Sequence, residues 1–374
     1  MRRRSAAASP LRRHPLTTAG GALAVGVALL GLLGLLDGQR AAATDASTLA
    51  LQERDAILAL GPWPPAAAHD ARNPVSGRPD AIALGEALFH SPRLSPSGVR
   101  CASCHEPWRH FADGRAVAQG VARGSRNTPS LLDVGLHRRF GWDGARDDLA
   151  AQSLRPLEDA REMPASAAQV AAFLRGDAVL SSRYARVFGA PPGADDARVL
   201  RDVGLALAAY VEPLGSPRAP FDDWCDRLAS DPGGGEPATS AAFPAAARRG
   251  QRLFVGRAGC ASCHAGPGFS DDAVHVSLVH SLAAPGQPDD GHPGGPVNAF
   301  RTPGLRDVAA TAPWLHDGSA ARLCDAVQPH AADPGAVPPA LTAAERSDLV
   351  AFLRALSADA DPGDDRVAAC AGQP

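Results

Sequence analysis

Apolar residues recur at helical spacing in several segments of this 374-residue chain. Residues 199–211 form one apolar face, and Pro213 ends the predicted helix because proline cannot continue it. Residues 165–175 repeat the pattern. Near the C-terminus, Thr342 and Glu345 form a capping box that begins a further helix with a leucine-rich face. Because no segment alternates convincingly between apolar and polar residues, the pattern predicts an all-α fold.

The first 43 residues have the pattern of a targeting segment and are set apart from the fold. Five arginines within the first 13 residues precede an uncharged run over residues 16–36, and the alanines at 41–43 suit a cleavage site. The run is long enough to span a membrane, so an uncleaved anchor is the alternative to a signal peptide. Either way, the remainder is expected outside the cytoplasmic membrane, in the periplasm.

Composition narrows the class of protein. The net charge of −3 gives no reason to expect nucleic acid as a partner. Glycine and proline, at 38 and 34 residues, are spread along the chain and indicate a loop-rich fold. Only 5% of the residues are aromatic although 45% are hydrophobic, so a cofactor could supply the large flat apolar surface that aromatic side chains do not.

Two segments, 101–105 and 260–264, both read Cys-Ala-Ser-Cys-His, which is the attachment signature of a c-type haem. Two thiols at this spacing reach the two vinyl groups of one porphyrin, and the histidine that follows binds the iron. A zinc site or a redox dithiol is the alternative, but neither would require the histidine twice. The predicted haem-binding residues are therefore Cys101, Cys104, His105, Cys260, Cys263 and His264.

The motifs lie about one domain length apart, which indicates that a cytochrome c unit was duplicated. A glycine precedes each motif, and a helical stretch follows each one. Residues 230–240 (SDPGGGEPATS) have the composition of a flexible linker. The predicted segments are a signal peptide or anchor over 1–43, a first cytochrome c domain over 44–229, the linker over 230–240 and a second cytochrome c domain over 241–374.

Methionine, the usual sixth ligand of high-potential c-type haems, is scarce in this chain. Its two methionines are Met1, in the targeting segment, and Met163. Two haems with His/Met ligation are therefore impossible, so at least one is bis-His, Tyr-ligated or open. The other cysteines, Cys225, Cys324 and Cys370, allow one disulfide and leave one odd thiol, and the sequence does not say which pair forms.

Together these features resemble the bacterial dihaem cytochrome c peroxidases and the related MauG enzyme, over most of residues 80–358. The resemblance implies two cytochrome c-like domains, each around one covalent haem, and reactivity with hydrogen peroxide. Besides the two haem motifs, the residues that carry it are LGEALF at 84–89, PRLS at 92–95, RNTPSL at 126–131, FGWDG at 140–144, EM at 162–163, RTPGLRDV at 301–308 and TAPWLHDGS at 311–319.

The resemblance implies that the first haem, with His105 as proximal ligand, is the one that reacts with peroxide. Gln152 and Glu162 match the distal positions of the peroxidases, and Pro156 matches a distal position of MauG. Cleavage of the O–O bond needs a base that moves a proton from the near oxygen to the far one, and a partly buried carboxylate can do this. Without the resemblance, Glu162 would be interpreted as a surface residue or a residue at the start of a helix.

Two further roles follow from the resemblance alone. Trp142 corresponds to the tryptophan that lies between the haems, where it could relay electrons, although a core aromatic is the alternative. Asn127, Thr311 and Pro313 match the positions that bind one Ca²⁺ between the domains, through a side-chain oxygen and two backbone carbonyls. Taken by itself, Asn127 would be interpreted as a turn residue.

The sequence departs from the peroxidase pattern at two positions. Gln119 stands where the peroxidases have a loop histidine that ligates the first haem, so we expect this haem to be open or water-bound without reductive activation. His330 stands where the peroxidases have Met and MauG has Tyr, so we expect His264/His330 ligation and a lowered potential. A surface histidine is the alternative for His330, and the competing ligands are His275, His280, His292 and His316.

Three functions remain open. The first is a cytochrome c peroxidase that reduces hydrogen peroxide with electrons from a small donor cytochrome c or copper protein (a cupredoxin). The second is a MauG-like oxidase that acts on residues of a partner protein at long range. The third is a dihaem electron carrier without enzymatic activity, which would require both irons to be six-coordinate. A homodimer is compatible with the sequence, which does not fix the oligomeric state.

Overall fold

Helices and loops make up nearly all of the computed structural model, which describes residues 51–66, 69–231, 236–277, 291–327, 340–361 and 363–370. The predicted targeting segment, 1–43, lies outside the described residues. The helices are α1 (Pro79–Phe89), α2 (Leu149–Glu158), α3 (Ala167–Gly176), α4 (Ala178–Phe188), α5 (Asp196–Val211), α6 (Pro220–Ser230), α7 (Ala245–Val255), α8 (Leu323–Ala326) and α9 (Ala343–Arg354).

The helices predicted from periodicity are present. The patterns over 165–175 and 199–211 correspond to α3 and α5, and α5 ends two residues before Pro213. Helix α9 begins at the predicted capping box: the backbone N–H of Glu345 donates to the Thr342 hydroxyl at 3.2 Å, and the Thr342 N–H donates to the Glu345 carboxylate at 2.8 Å. The prediction of an all-α fold is confirmed.

One small sheet was not predicted. Strands β1 (Val274–Val276) and β2 (Ala299–Arg301) pair antiparallel, with His275 opposite Phe300. Three residues per strand are too few for an alternating pattern to be recognised in the sequence. Among the described residues, no helix combines the length and the apolar character that crossing a membrane requires.

Each half contains a pair of helices that cross closely at a glycine. A β-carbon on Gly85 of α1 would lie 2.0 Å from the Ala206 carbonyl oxygen of α5, and one on Gly250 of α7 would lie 1.9 Å from the Asp348 carbonyl oxygen of α9. Only glycine permits these crossings, because any β-carbon would overlap the facing backbone. Gly85 and Gly250 therefore have the same packing role in the two halves.

Within the described ranges, the buried apolar residues form two hydrophobic cores. The first packs α1 and α3–α5 around residues such as Leu84, Val170 and Leu207. The second packs α7 and α9 together with α6, and it also takes in Ile57 and Leu60. The cores therefore do not follow a single cut at the 230–240 segment, because α6 precedes this segment but packs with the second core. The predicted boundaries themselves stay a prediction.

The structure decides the cysteine pairing that the sequence left open. Cys324, in α8, forms a disulfide with Cys370, 46 residues further along the chain. Cys225 of α6 is a buried free thiol beside Gly61, and burial raises its pKa to about 11. The odd thiol is thus protonated and unreactive at neutral pH.

Candidate active site

Both Cys-x-x-Cys-His segments line one cavity of about 1200 Å³. Pockets for a single small ligand usually measure about 300–1,000 Å³, so this cavity exceeds the usual size for one. Its walls include apolar side chains from both halves, among them Leu207 and Leu349. The six predicted haem-binding residues that face it are Cys101, Cys104, His105, Cys260, Cys263 and His264.

The four motif cysteines are available for thioether bonds. Each motif begins with a 3₁₀ turn, Cys101–Ser103 and Cys260–Ser262, and no disulfide forms within either motif. Burial raises the pKa of Cys101 to about 12 and that of Cys260 to about 11, so both sulfurs are protonated thiols before a haem is attached. Cys263 also lies near Asp271 and His275, but its role in the motif leaves no thiolate for a separate metal site.

Both motif histidines are prepared as iron ligands in the same way. His105 donates from Nδ1 to the Phe111 carbonyl at 3.0 Å, and His264 donates from Nδ1 to the carbonyls of Phe269 and Pro303, each at 3.1 Å. These hydrogen bonds fix the tautomer and leave Nε2 as the lone-pair donor. Burial lowers the pKa of both imidazoles, so both rings are neutral, as iron ligation requires.

Helix α2 carries two of the three predicted distal residues. Gln152 and Pro156 both line the cavity that contains His105, and the third residue, Glu162, lies just after the helix. Pro156 is inside α2 and lacks a backbone N–H, so the Gln152 carbonyl has no helical hydrogen bond from this position. Gln152 is thus the amide-bearing residue that α2 contributes to the cavity wall.

Glu162 is held by its backbone and is partly desolvated. The Glu162 N–H donates to the Asp159 carbonyl at 3.1 Å, and its own carbonyl accepts from Val121 N–H at 2.9 Å. Its carboxylate lies 3.4 Å from the Arg155 guanidinium. Burial raises the pKa of Glu162, and Arg155 partly opposes this effect. A carboxyl group in this setting can accept a proton and return it.

The loop that faces Glu162 contains Gln119. This side chain is exposed and donates to the carbonyl of its neighbour Gly120 at 3.3 Å. A β-carbon on Gly120 would lie 2.4 Å from the Glu162 carbonyl oxygen, so glycine allows the loop to approach the Glu162 backbone closely. Gln119 itself does not line the cavity, although Ala118 and Gly120 do.

Trp142 connects the two halves at the cavity wall. Its indole Nε1–H donates to the Asn127 carbonyl at 2.9 Å, and its own carbonyl accepts from the Arg301 N–H at 2.9 Å. His292 donates from Nδ1 to the neighbouring Asp143 carbonyl at 2.7 Å. Trp142 is therefore fixed by residues from both halves of the sequence.

Comparison with known proteins now identifies the family. Residues 79–230 match the family model described as di-haem cytochrome c peroxidase, and residues 247–357 match the cytochrome c model. The chain is 36% identical over 332 residues to methylamine utilization protein MauG of Methylorubrum extorquens, covering 85% of this chain and 89% of that protein. The chain belongs to the dihaem cytochrome c peroxidase and MauG family.

Other members are similarly related. The chain is 30% identical over 356 residues to cytochrome-c peroxidase IdrP2 of Pseudomonas sp. strain SCT, covering 82% of this chain and 88% of that protein. The diheme peroxidase BthA from Burkholderia thailandensis E264 superposes with a TM-score of 0.62 at 28% identity, covering 79% of this chain and 91% of BthA. As a member of this family, the chain is an oxidoreductase with two cytochrome c-like domains and two haem c groups.

The calcium site implied for this dihaem protein stays a prediction. Asn127, Thr311 and Pro313 all line the shared cavity. The Asn127 side chain donates from Nδ2 to the Arg115 carbonyl at 2.8 Å, which leaves its Oδ1 as an acceptor. The backbone N–H of Asn127 donates to the His316 carbonyl at 2.8 Å, which ties the first half to the 311–319 motif.

The histidine predicted as the second haem's distal ligand, His330, lies outside the described residues, as does its competitor His280. The other three competitors all line the cavity. His275 bonds the Asp271 carboxylate through Nε2 at 2.7 Å, and the His316 ring stacks on Phe300 with a centroid separation of 4.3 Å. His292 donates from Nδ1 to the Asp143 carbonyl, which leaves its Nε2 as the lone-pair donor, as in His105 and His264.

A partly buried polar cluster of this dihaem protein was not predicted. Asp272 accepts at Oδ1 from His137, at 3.2 Å, and lies 3.4 Å from Arg301. These partners hold the pKa of Asp272 at about 2 although burial opposes this, and burial lowers the pKa of Arg301. The RTPGLRDV motif contains Arg301, but nothing in the sequence pairs it with residues 137 and 272.

Proposed function

We propose that this protein is an exported, periplasmic dihaem peroxidase that reduces hydrogen peroxide to water. Two electrons and two protons convert one H₂O₂ to two water molecules, and a small cytochrome c or cupredoxin would supply the electrons one at a time. The bound haem iron supplies the oxidation–reduction chemistry when it is present. The chain supplies the ligands, the proton carrier and the path for electrons.

The observation that carries this proposal is the position of Glu162 in the same cavity as His105. Its raised pKa suits a group that takes a proton from one peroxide oxygen and gives it to the other. Gln152 and Pro156 of α2 bound the same space, and Gln152 can orient peroxide through its amide. Exposed Gln119 supports a first haem that keeps its sixth position open.

Electrons would reach the first haem from the second, whose proposed ligands are His264 and His330. Trp142 supports this path because it donates a hydrogen bond to the Asn127 carbonyl and accepts one from the Arg301 N–H, which fixes it between the two halves. A calcium ion held by Asn127, Thr311 and Pro313 would stabilise the same junction.

A MauG-like oxidase is the second candidate, and Gln119 favours it specifically. A peroxidase loop histidine would close the first haem until reduction, whereas Gln119 is exposed and bonded to its own loop. Such a protein would hold both oxidising equivalents of peroxide and draw electrons from residues of a partner protein.

Steady-state peroxide consumption with reduced cytochrome c as donor distinguishes the peroxidase from the MauG-like oxidase. If the protein is a peroxidase, we expect continuous turnover that saturates with both peroxide and cytochrome c. Negligible turnover, with stoichiometric consumption of one peroxide per protein, would contradict the peroxidase and support the MauG-like oxidase.

His330→Ala should change the optical spectrum of the second haem, and an unchanged spectrum would refute ligation of that haem by His330.

A further inference from the structure

Trp108 is far more exposed than the other tryptophans. Its surface is 73% exposed, whereas Trp63, Trp224 and Trp314 are each no more than 7% exposed, and Trp142 is half-buried with its indole N–H bonded. The two tyrosines are also withdrawn from solvent: Tyr184 is buried against Asp202, and Tyr210 is partly buried. Across the part of the chain that the structure describes, which includes all five tryptophans, Trp108 is thus the most accessible oxidisable aromatic side chain.

This side chain belongs to the turn that holds the proximal ligand of the first haem. Trp108 follows His105 by three residues, in the 3₁₀ turn Pro107–Arg109. Three residues span at most about 11 Å, which bounds the distance between the two α-carbons. A hydrogen bond from the Phe111 N–H to the Glu106 carbonyl, at 2.9 Å, spans this turn. The Phe111 carbonyl in turn accepts from His105 Nδ1, so the segment that contains Trp108 also holds the proximal histidine.

The second haem motif lacks a counterpart. Pro267 stands three residues after His264, where the first motif has Trp108. The carbonyl of Phe269 accepts from His264 as that of Phe111 does from His105, so the two turns hold their histidines alike. At this position of the turn, an oxidisable side chain therefore accompanies only the first motif, whose haem is proposed to react with peroxide.

We propose that Trp108 is a surface oxidation site at which small aromatic reductants, such as phenols, deliver electrons directly to the first haem. The site rests on the proposed function, because peroxide must first oxidise that centre. The Trp108 indole then loses one electron to the oxidised centre and its N–H proton to water. A phenol returns one electron to the indole radical, which regains a proton from water, and the phenol leaves as a phenoxyl radical after losing its own proton. Two such rounds complete the reduction of one H₂O₂.

The surroundings of Trp108 suit a small aromatic donor. Its exposed indole face can stack with an aromatic ring, which adds favourable geometry beyond surface burial. The adjacent Arg109 pairs with Glu106 at 2.9 Å, so the charges beside the indole are balanced and select neither a cationic nor an anionic reductant. Direct delivery here would bypass Trp142 and the second haem.

The test uses haem-loaded full-length protein with Trp108→Phe, which cannot be oxidised readily, and Trp108→Tyr, which can. With 2-methoxyphenol and peroxide, we expect Trp108→Phe to lower the phenol oxidation rate at least about tenfold and Trp108→Tyr to restore most of it. Peroxide consumption with reduced cytochrome c should be unchanged in both variants. As a control, the unfolding midpoints and haem spectra of both variants should equal those of the wild type, because Trp108 is exposed and its substitution should not disturb the fold.

A second readout does not depend on turnover. Peroxide added without any reductant should produce an indole radical in wild type, recognised by paramagnetic resonance with ring-deuterated tryptophan, and this signal should be absent from Trp108→Phe. Equal phenol rates and an unchanged radical in Trp108→Phe would overturn the proposal while leaving the peroxidase intact. Failure of the wild type to react with peroxide with either donor would overturn the proposed function as well.

Discussion

At the scale of single residues, the protonation of one carboxyl group controls the proposed chemistry. We expect Glu162→Gln to slow the reaction with peroxide by about 100-fold or more, because an amide cannot accept the proton. In the wild type, the rate should fall at acid pH as Glu162 becomes protonated. The fall should come at a higher pH than for an ordinary glutamate, because burial raises the pKa of Glu162. Stopped-flow mixing with peroxide measures both effects.

Glu158→Gln is the matched control for this variant. Glu158 ends the same helix, α2, but its side chain is 56% exposed and pairs with Arg146 at 3.0 Å on the surface. Its substitution should leave the peroxide rate unchanged. Equal rates in Glu162→Gln and wild type would remove Glu162 from the proposed mechanism.

A second residue-scale effect concerns stability. His110 lies 3.4 Å from buried Asp307, a contact between the two halves, and Asp307 raises the pKa of His110 above its ordinary value of 6.5. The protonated pair therefore contributes its full stabilisation below pH 6.5 and loses it as the pH rises through the raised value. His110→Gln should reduce the free energy of unfolding at pH 6 and have less effect at pH 9. Denaturant unfolding at both pH values measures this; a pH-independent effect would contradict it.

At the scale of elements, the loop that contains Gln119 depends on one glycine. Gly120→Ala would bring a β-carbon 2.4 Å from the Glu162 carbonyl oxygen, so the loop or the Glu162 segment must shift. We expect a loss of about 1–3 kcal/mol in the free energy of unfolding, together with a slower peroxide reaction. A β-carbon on Gly176 of α3 would meet no atom within 4 Å, so Gly176→Ala should stay within about 1 kcal/mol of wild type. Indistinguishable unfolding of the two variants would refute this packing argument.

The disulfide between α8 and the C-terminal segment is a second element-scale feature. Removing a cross-link over 46 residues frees the unfolded chain, so Cys324→Ser should destabilise the protein by about 2–4 kcal/mol. Wild type and Cys225→Ser should both lose stability when a reductant is added, whereas Cys324→Ser should not respond. Thermal unfolding with and without reductant tests the pairing, and a reductant-sensitive Cys324→Ser would contradict it.

Elements differ in how far the sequence specifies them. Helices α5 and α9 could be predicted because periodicity and a capping box are local signals. The strands β1 and β2 are too short to show alternation. Helix α6 has an amphipathic pattern, but such a pattern does not say which core the apolar face joins, and α6 packs with the second one.

At the scale of the whole molecule, the candidate site contains features that the sequence specifies locally and features that it does not. The two Cys-x-x-Cys-His motifs could be recognised from the sequence because each lies within five residues, whereas the proposed ligation by His330 stays a prediction. The cluster of Asp272 with His137 and Arg301 could not, because contacts between residues far apart in sequence leave no local pattern. The duplication of the cytochrome c unit is visible in the sequence and in the structure. The two haem motifs repeat in the sequence, and Gly85 and Gly250 permit the same close helix crossing in each half of the structure.

The two halves resemble each other in how they hold a haem, and the account assigns them different iron coordination. The electron paramagnetic resonance spectrum of the ferric protein, as purified, tests this difference most directly. An open first haem and a second haem ligated by His264 and His330 predict one high-spin and one low-spin signal, each integrating to one haem per protein. Two low-spin signals, persisting when peroxide is added, would contradict the account and leave an electron carrier.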